Sequence, residues 1–494
     1  MGLLSSSKSL SKPKNKGSYE EVSGYDLFYQ LTYMSATASA GISRNRIFDL
    51  ASVLKRPTAE YFRRVHLLSQ RFGYDYARSC TMVGTEVQED EMRSLLLRLS
   101  VALSSGQPEM DFLSSEAGVQ GELYEKEYER DLSSLTLWTD AYGAIVVSVA
   151  LIVIVNLIST IIYDMGMSTI VGLIFTAVMT AIGGVWVLSR SAPKEMRAFF
   201  SEEGPPAQRQ ARKLGRIAPF VVGTVCGLLL ILGVSLGPVL IVVGLLMLPV
   251  GIIALRGGAE IDEKDREIGP FLRSLGATAM STGTTITESI TRLDLHSFPN
   301  LHRDLRRLRA RLAAGIDPDL CWRKFAYETG SVLIGETVGI FIDAVKLGGD
   351  SDIVGYLASE FAAKTSMLRA KRKVVASTFT VLTITMNTVV AALMLVILEI
   401  IETFSEMIQA AMETVGEDAM ASIAMPLPIF SNPPSAVMGY MTIGMVVVLS
   451  VINALAVVYT DGGHMLKTYF FLSALISLSG LCMVLVPPLI STIM

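Results

Sequence analysis

The chain has 494 residues, a net charge of −4, a mean hydropathy of +0.48 and 51% hydrophobic residues. Only 18% of the residues are charged, against about 25% in soluble domains, so the composition excludes an ordinary soluble protein. The small net charge also argues against the strongly acidic surface of a protein adapted to saturated salt.

Residues 1–24 form a Ser/Lys-rich tail that we expect to be disordered. The tail has no apolar core and therefore does not resemble a cleavable signal peptide. Its start, MGLLSS, fits the pattern for N-myristoylation. That pattern is short, and we expect the tail to be unmodified.

Two polar blocks, residues 25–140 and 256–373, each precede a membrane-spanning part of the chain. Alternating apolar and polar residues, which would indicate strands, are absent from both blocks. We therefore predict two cytoplasmic helical-bundle domains. In the second block an amphipathic leucine stripe recurs at spacings of 4, 3 and 4, formed by Leu301, Leu305, Leu308 and Leu312.

The two blocks match each other in sequence. SAG at 39–41 lies 242 residues before STG at 281–283. VALSSGQPEMDFLSSEA at 101–117 aligns with VKLGGDSDIVGYLASEF at 345–361 at an offset of 244. Because the offset changes by only two, the blocks are predicted to be two copies of one domain.

Glycines mark the predicted hairpins of these domains. Gly348 or Gly349 can take the left-handed position that ends a helix. Asp350, Ser351 or Asp352 can then cap the next helix. The predicted hairpin and cap residues are Gly41, Gly283, Gly348, Gly349, Asp350 and Asp352.

Seven apolar stretches are long enough to cross a bilayer as helices. Four lie in residues 141–255, around a basic loop at 190–216, and three lie in residues 374–494. The uncharged stretch 217–255 is too long for one span, and we expect it to break at SLGP (235–238). The predicted spans are 141–163, 166–189, 217–235, 238–255, 374–399, 436–460 and 468–490.

The distribution of basic residues predicts the orientation, because Lys and Arg collect on the cytoplasmic side. With the N-terminus inside, the segments 1–140, 190–216, 256–373 and 461–467 are cytoplasmic and hold 16, 7, 18 and 1 basic residues. These are all 42 of the chain. The exterior loop 401–435 has five acidic residues and no basic one. We therefore predict a plasma-membrane protein with a cytoplasmic N-terminus and an exterior C-terminus.

The stretch GSVLIGET (330–337) invites comparison with the phosphate-binding loop G-x-x-x-x-G-K-T. Glu336 stands where that loop has its lysine, no strand-rich run precedes the stretch, and the following residues read as helix. We predict that the chain binds no nucleotide and that the small residues here allow close helix packing.

The remaining residues of types found in catalytic and metal sites form no recognisable motif. DSD at 350–352 resembles a metal-binding D-x-D, but helix capping explains it. The histidines show no supported i, i+4 pair, the cysteines show no C-x-x-C, and no nucleophile motif is present. We predict no catalytic residues, no metal and no cofactor. The histidines are His66, His296, His302 and His464, and the cysteines are Cys80, Cys226, Cys321 and Cys482.

Polar residues within the spans are few. Asn156, Asn387 and Asn453 lie in three different spans, and Glu399 lies at the end of the fifth. A proton- or ion-coupled transporter usually keeps an ionisable group near the midplane, and none is found there. We expect the asparagines to form hydrogen bonds between helices.

Five arginines in LHRDLRRLRARL (301–312) project off the leucine stripe. They could form a solvated face, contact anionic headgroups or dock an acidic partner. Nucleic acid is not indicated, because no aromatic residues are interleaved. The candidate partner-binding residues are Arg303, Arg306, Arg307, Arg309 and Arg311.

The duplicated helical domain, with FLRSLGATAMSTGTTITESI (271–290) and GETVGIFIDAVKLGGDSDIVGYLASEF (335–361), resembles the type II secretion system F-domain family. These are inner-membrane platform proteins of secretion systems and type IV pili. The seven-span layout and the ending at 459–490 resemble the archaeal branch, which includes the archaellum platform. The first block matches less well, since SSGQP (104–108) stands where the second has GGDSD.

The resemblance implies a non-catalytic scaffold in the bilayer. Such a platform would form a homodimer over a cytoplasmic assembly ATPase and feed pilin- or archaellin-like subunits into a filament. It does not distinguish an archaellum from an adhesive pilus or a secretion role. The alternative is a membrane subunit of a transporter or permease that a separate ATPase energises. A parallel repeat of polar domains favours the platform, because transporters often place their substrate site between inverted repeats.

Overall fold

The computed structural model describes residues 22–162, 167–193, 195, 204–415 and 435–493, and helices account for nearly all of these residues. The predicted tail therefore lies mostly outside the described residues, as does the part of the predicted exterior loop at 416–434. In chain order the helices of the described residues are α1 (Gly24–Ala38), α2 (Arg44–Val53), α3 (Pro57–Phe72), α4 (Tyr76–Glu86), α5 (Asp90–Ser105), α6 (Glu109–Ile162), α7 (Met167–Ser191), α8 (Pro206–Ile231), α9 (Leu236–Thr282), α10 (Ile286–Arg292), α11 (His302–Ala313), α12 (Pro318–Thr329), α13 (Val332–Lys346), α14 (Ser351–Val415), α15 (Ser435–Asp461) and α16 (Thr468–Ile493).

Among the described residues, seven helices are long and apolar enough to cross a membrane, namely α6, α7, α8, α9, α14, α15 and α16. The predicted all-α fold with seven spans is thus confirmed, and the chain is a multi-pass membrane protein. Three of these helices are much longer than a span. α6 has 54 residues, α9 has 47 and α14 has 65, whereas about 20 residues cross the hydrocarbon core.

The break between α8 and α9 lies earlier than SLGP predicts. α8 ends at Ile231 and α9 begins at Leu236, with Gly233 at φ +73° between them. Gly233 supplies the left-handed residue that ends a helix. Pro238 lies in the first turn of α9, where the missing N–H removes no helical hydrogen bond. The predicted turn residues therefore begin the next helix instead of forming the loop.

Contacts within the chain divide it into two compact units. Unit 1 comprises Met1–Tyr124, Leu272–Thr284 and Gly339–Phe361, and unit 2 comprises Glu125–Phe271, Thr285–Val338 and Ala362–Met494.

Unit 1 is organised around α1, whose side chains are buried along almost its whole length. Its apolar residues join a core built with α2 to α5, including Phe62 and Leu96, which are fully buried. Polar groups in this core have partners. Arg56 forms an ion pair with Asp26 at 2.7 Å, and the Tyr33 hydroxyl donates to Asp343 Oδ2 at 3.1 Å.

The membrane-spanning part of unit 2 contains a buried polar network. Tyr142 Oη donates to Asn453 Oδ1 at 2.7 Å, and Asn453 Nδ2 donates to Asn387 Oδ1 at 2.9 Å. These contacts join α6, α15 and α14. The expected bonds between helices are therefore confirmed for Asn387 and Asn453. The buried Oδ1 of Asn156 accepts no hydrogen bond from the described residues.

Candidate functional site: an arginine face and a buried ion-pair junction

Helix α11 has one buried and one exposed side, as its leucine stripe predicts. Leu305 and Leu308 are fully buried, together with Leu301 just before the helix. Arg303, Arg306 and Arg307 are exposed and Arg309 is half-buried. Among the described residues, no ion pair engages Arg303, Arg306 or Arg309, and Arg307 lies 3.7 Å from Asp304. We call Arg303, Arg306, Arg307 and Arg309 the arginine face.

The fifth predicted arginine does not belong to this face. Arg311 Nη2 donates to Glu328 Oε1 at 2.6 Å, and both side chains are largely shielded from solvent. This pair links α11 to α12 within their hairpin. Arg311 therefore fixes the two helices to each other, whereas the other four arginines are presented outward.

Helix α12 adds residues that periodicity in the arginine stretch did not indicate. Leu320, Arg323, Lys324 and Tyr327 are all exposed, and their spacing of three and four places them on one side of the helix. The exposed fractions of Leu320 and Tyr327 are 51% and 42%. The hairpin thus exposes apolar anchors as well as positive charge. The missed signal is an i, i+3, i+4, i+7 pattern of two apolar and two basic residues.

The single acidic residue of α11 points inward. Asp304 Oδ2 lies 2.8 Å from Lys264 Nζ of α9, and both side chains are buried. Lys264 Nζ also lies 2.8 Å from Glu260. Besides Lys264, Asp304 pairs with Arg307 at 3.7 Å, and among the described residues it pairs with none of Arg303, Arg306 and Arg309. Burial of a charge is tolerated only with such a partner, so the pair with Lys264 fixes α11 on α9.

A second buried cluster joins α9 to α14. Arg369 Nη1 donates to Asp265 Oδ2 at 2.8 Å, and Ser331 Oγ donates to Asp265 Oδ1. Arg369 Nε donates to Glu195 Oε2 at 3.2 Å. Asp265 and Ser331 are almost completely buried. Both oxygens of Asp265 are therefore engaged, which fixes α14 and the start of α13 on α9.

Arg372, one turn further along α14, is only 1% exposed. Its Nε and Nη2 donate to the carbonyl oxygens of Thr460 and Tyr459 at 3.0 Å, and Nη1 donates to Pro193 O at 2.7 Å. Carbonyl groups at the end of α15 have no helical N–H partner, so a guanidinium satisfies them well. A side chain at Gly462 (φ +67°) would overlap the Arg372 guanidinium, which explains the glycine there.

These contacts form one connected set, which we call the junction. It runs from the buried side of α11 through α9 to α14 and ends at the carbonyls of α15. Its residues are Lys264, Asp265, Asp304, Ser331, Arg369 and Arg372. The basic run at 369–373 supplies both arginines, because residues three apart share one side of a helix. Lys373 of the same run pairs with Asp262 at 3.0 Å.

The predicted hairpin and cap residues lie at helix ends. Gly41, Gly283 and Gly348 have φ of +63°, +62° and +95°. Gly349 has no positive φ, but a side chain there would approach Ala344 O and Ser39 Oγ to 2.9 Å.

Asp350 and Asp352 have different roles at the start of α14. Asp350 Oδ1 accepts from the N–H of Asp352 at 2.9 Å and caps the helix. Asp352 lies in its first turn, where a carboxylate interacts favourably with the helix dipole.

GSVLIGET is divided between a helix end and a helix. Gly330 ends α12 at φ +74°, Ser331 belongs to the junction, and α13 begins at Val332. A Cβ at Gly330 would meet Pro205 Cδ at 2.6 Å, so this glycine allows close packing. Among the described residues, no group of three or more His, Cys, Asp or Glu side chains could hold a metal ion.

Residues 271–399 match the family model described as type II secretion system (T2SS), protein F. Residues 271–399 thus form a domain similar to type II secretion system protein F. It is 26% identical over 425 residues to Flagella accessory protein J of Methanocaldococcus jannaschii, covering 82% of this chain and 73% of that protein. It is 23% identical over 361 residues to Flagella accessory protein J of Methanococcus voltae, covering 70% and 64%. No solved structure matches it.

These similarities support the resemblance of the chain to the archaellum branch of the protein F family. The protein F match begins in α9 and ends in α14, and it contains the arginine face, Asp304, Ser331, Arg369 and Arg372. Lys264 and Asp265 precede it. The junction therefore links the family domain to the part of α9 that continues into the membrane-spanning stretch.

Proposed function

We propose that this chain is a non-catalytic membrane platform for the assembly of an archaellum-type filament. The protein F domain, the likeness to two Flagella accessory proteins J and the seven apolar helices support this proposal. The cytoplasmic assembly ATPase would supply the work. The platform would pass pilin- or archaellin-like subunits from the bilayer to the filament, and it would do so as a homodimer.

The proposed orientation places both polar blocks in the cytoplasm, with the C-terminus outside. All 42 basic residues then lie inside, as the positive-inside rule requires. The arginine face would consequently face the compartment that contains the ATPase.

The arginine face is the proposed ATPase contact, and its unbalanced charge is the observation that carries the proposal. Four arginines are presented outward, while the only acid of α11 is buried against Lys264. Exposed charge of one sign accelerates encounter with an acidic partner and fixes its register. Leu320 and Tyr327 of the adjoining α12 would add the desolvated anchors that interfaces need.

The junction is the proposed route by which ATPase movement reaches the spans. A displacement of α11 must move α9, because Lys264 and Asp304 form a buried pair at 2.8 Å. α9 in turn is fixed to α14 through Asp265 and Arg369. Separating such buried pairs costs several kcal/mol, about 3–5 when one partner is lost. The helices would therefore move together instead of sliding past one another.

Co-purification of the cognate assembly ATPase with the full chain tests the docking proposal. The triple variant Arg306→Glu, Arg307→Glu and Arg309→Glu should insert in the membrane normally but retain little ATPase. A matched control is Arg63→Glu, Arg64→Glu and Arg71→Glu. This control changes the charge equally on α3, with the same two exposed positions and one half-buried position. It should retain the ATPase.

Three outcomes separate the alternatives. Selective loss of the ATPase with the α11 variant supports docking. Equal loss with both variants indicates a general effect of charge and contradicts a specific site. Unchanged ATPase retention, together with reduced binding to anionic liposomes, would assign the arginine face to lipid headgroups instead.

A further inference from the structure

Unit 1 has an exposed surface where the last turns of α9 cross the first turns of α14. The two helices approach closely because Gly276 and Gly355 lie at the crossing, and a Cβ at Gly355 would meet Leu272 O at 2.9 Å. The guanidinium of Arg273 lies over the ring of Tyr356, 5.3 Å from its centroid. The exposed side chains of the two helices therefore adjoin and form one surface.

This surface combines apolar and charged side chains. Met280, Ile353 and Tyr356 are 58%, 36% and 48% exposed, which is unusual for large apolar residues grouped together on a polar domain. Protein interfaces are enriched in Tyr, Met and Arg. We call this surface the crossing face, and it consists of Arg273, Met280, Asp352, Ile353, Tyr356 and Glu360.

The charges of the crossing face are unpaired and separated by helix. Among the described residues, no ion pair engages Arg273, Asp352 or Glu360, and all three are exposed. Asp352 and Glu360 each lie four residues from Tyr356, so they flank it on one side of α14. The basic charge is thus on α9 and both acidic charges are on α14. A face with this distribution is complementary to a second copy of itself, whereas the arginine face has one sign only.

We propose that the crossing face is the contact between two copies of this chain, with α9 of each copy against α14 of the other. The inference rests on the proposed function, which includes a homodimer. Both copies have their spans in one bilayer with the same orientation, so the two-fold axis runs along the membrane normal.

Such an axis places each residue opposite residues of the other copy at the same distance from the bilayer. Arg273 and Tyr356 are at one level, because they are in contact. Arg273 of one copy therefore lies between Asp352 and Glu360 of the other, and the same contact recurs across the axis. Ile353, Met280 and Tyr356 would supply the desolvated part of the interface.

Mass photometry of the purified full chain in detergent tests the proposal by measuring the dissociation constant of the dimer. Arg273→Glu should raise this constant about tenfold, because the change acts twice across the axis and each exposed charge contact contributes up to about 1 kcal/mol. Glu360→Arg should raise it similarly, by placing two guanidinium groups together. An equal mixture of the two variants should recover the dimer. In the mixed dimer the new carboxylate faces the new guanidinium, and Arg273 of one chain faces Glu360 of the other.

Arg78→Glu is the matched control. Arg78 is also an exposed arginine of unit 1 over a tyrosine ring, 5.1 Å from the centroid of Tyr74. Its substitution should change the dissociation constant less than about twofold. An increase equal to that of Arg273→Glu would indicate a general effect of charge and would overturn the proposal.

Unchanged dissociation constants for Arg273→Glu and Glu360→Arg would also overturn the proposal, as would a monomeric unmodified chain. Failure of the mixed variants to recover the dimer would contradict it too, because the substitutions would then act within one chain. Loss of ATPase retention by Arg273→Glu with unchanged self-association would assign the face to the ATPase instead. ATPase retention by the triple α11 variant tests the docking part of the platform function separately, since that variant leaves the crossing face intact.

Discussion

Helix α3 in unit 1 and helix α11 in unit 2 correspond to each other in the predicted repeat, and their charged residues have different partners. FRRVH at 62–66 aligns with LRRLR at 305–309 at an offset of 243, between the offsets of 242 and 244 of the flanking matches. Both helices bury the same positions. Phe62 and Leu305 are fully buried, and so are Val65 and Leu308.

The two helices differ at the positions that decide their net charge. Glu60 of α3 forms ion pairs with Arg63 at 2.5 Å and with Arg64 at 3.6 Å. The corresponding residue of α11 is Arg303. The acid of α11 lies one position later, at Asp304, and is buried against Lys264.

The comparison shows how similar helices give a partly neutralised surface on α3 and, on α11, a surface whose charge is uncompensated at Arg303, Arg306 and Arg309. The change requires no new fold. Replacing one surface acid by arginine removes the local neutralisation, and moving an acid to the buried side converts it into an attachment to α9. The copy with the uncompensated charge is therefore the one we expect to bind a partner.

The orientation of the chain in the membrane gives the largest expected effect, because a cysteine on one side is either labelled or not labelled. In a chain whose four native cysteines are replaced by serine, Ser405→Cys should react with an impermeant maleimide on intact cells. Ser105→Cys should react only after lysis. The reverse pattern would place the arginine face outside the cell, away from the cytoplasmic ATPase. It would therefore contradict the proposal that the ATPase docks on α11.

The buried acid of α11 should matter more for stability than its counterpart in α3. Asp304→Asn leaves Lys264 buried with one partner fewer and should lower the free energy of unfolding by about 3 kcal/mol. Tyr61→Phe at the corresponding position removes the hydrogen bond of the hydroxyl to Glu89 at 3.4 Å and should cost about 1 kcal/mol. Denaturant unfolding in detergent measures both values. Equal losses would mean that Asp304 does not anchor α11.

Arg303→Glu gives α11 an acidic residue at the position that corresponds to Glu60 of α3. The new carboxylate lies three and four residues before Arg306 and Arg307, where it can pair with both. ATPase affinity should fall about fivefold, which corresponds to about 1 kcal/mol for an exposed charge. Binding of the ATPase to the chain in nanodiscs measures this change. An affinity equal to that of the unmodified chain would contradict the need for uncompensated charge.

Glu60→Arg is the reciprocal substitution and should have the smallest effect. It removes the ion pairs of Glu60 with Arg63 and Arg64 but adds none of the apolar anchors of α12. ATPase affinity should stay within about twofold of the unmodified value, because exposed ion pairs contribute about 0–1 kcal/mol. A clear gain in affinity would show that positive charge alone suffices for docking.

The local features of this fold could be predicted from the sequence, whereas its tertiary pairs could not. Span number and the leucine stripe of α11 depend on hydropathy and helical period, which are local. The pairing of Asp304 with Lys264 joins residues of different helices, and no local pattern indicates it. In the sequence, Arg311 cannot be distinguished from the other arginines of α11. The structure distinguishes it by its ion pair with Glu328.

The basic run at 369–373 shows the same limit. In sequence it looks like a solvated charge cluster, yet Arg369 and Arg372 are buried while Lys373 is exposed. Their spacing of three was the available signal, and partners in the segment after α7 and on α9 and α15 decide which arginines are buried. Similarly, the α8–α9 break depends on Gly233, which has a positive φ. Gly237 and Pro238 are also typical turn residues, and for that reason the sequence predicted the break at 235–238.

The most direct test of the account is photo-cross-linking from the two corresponding positions. A benzoylphenylalanine is introduced in place of Arg306 on α11 or in place of Arg63 on α3, and membranes containing the full chain and the cognate ATPase are irradiated. Both positions are exposed, so both probes are accessible. We expect a cross-link to the ATPase from position 306 and none from position 63. A cross-link from position 63 alone, or from neither position in an assembly that builds filaments, would contradict docking on the arginine face.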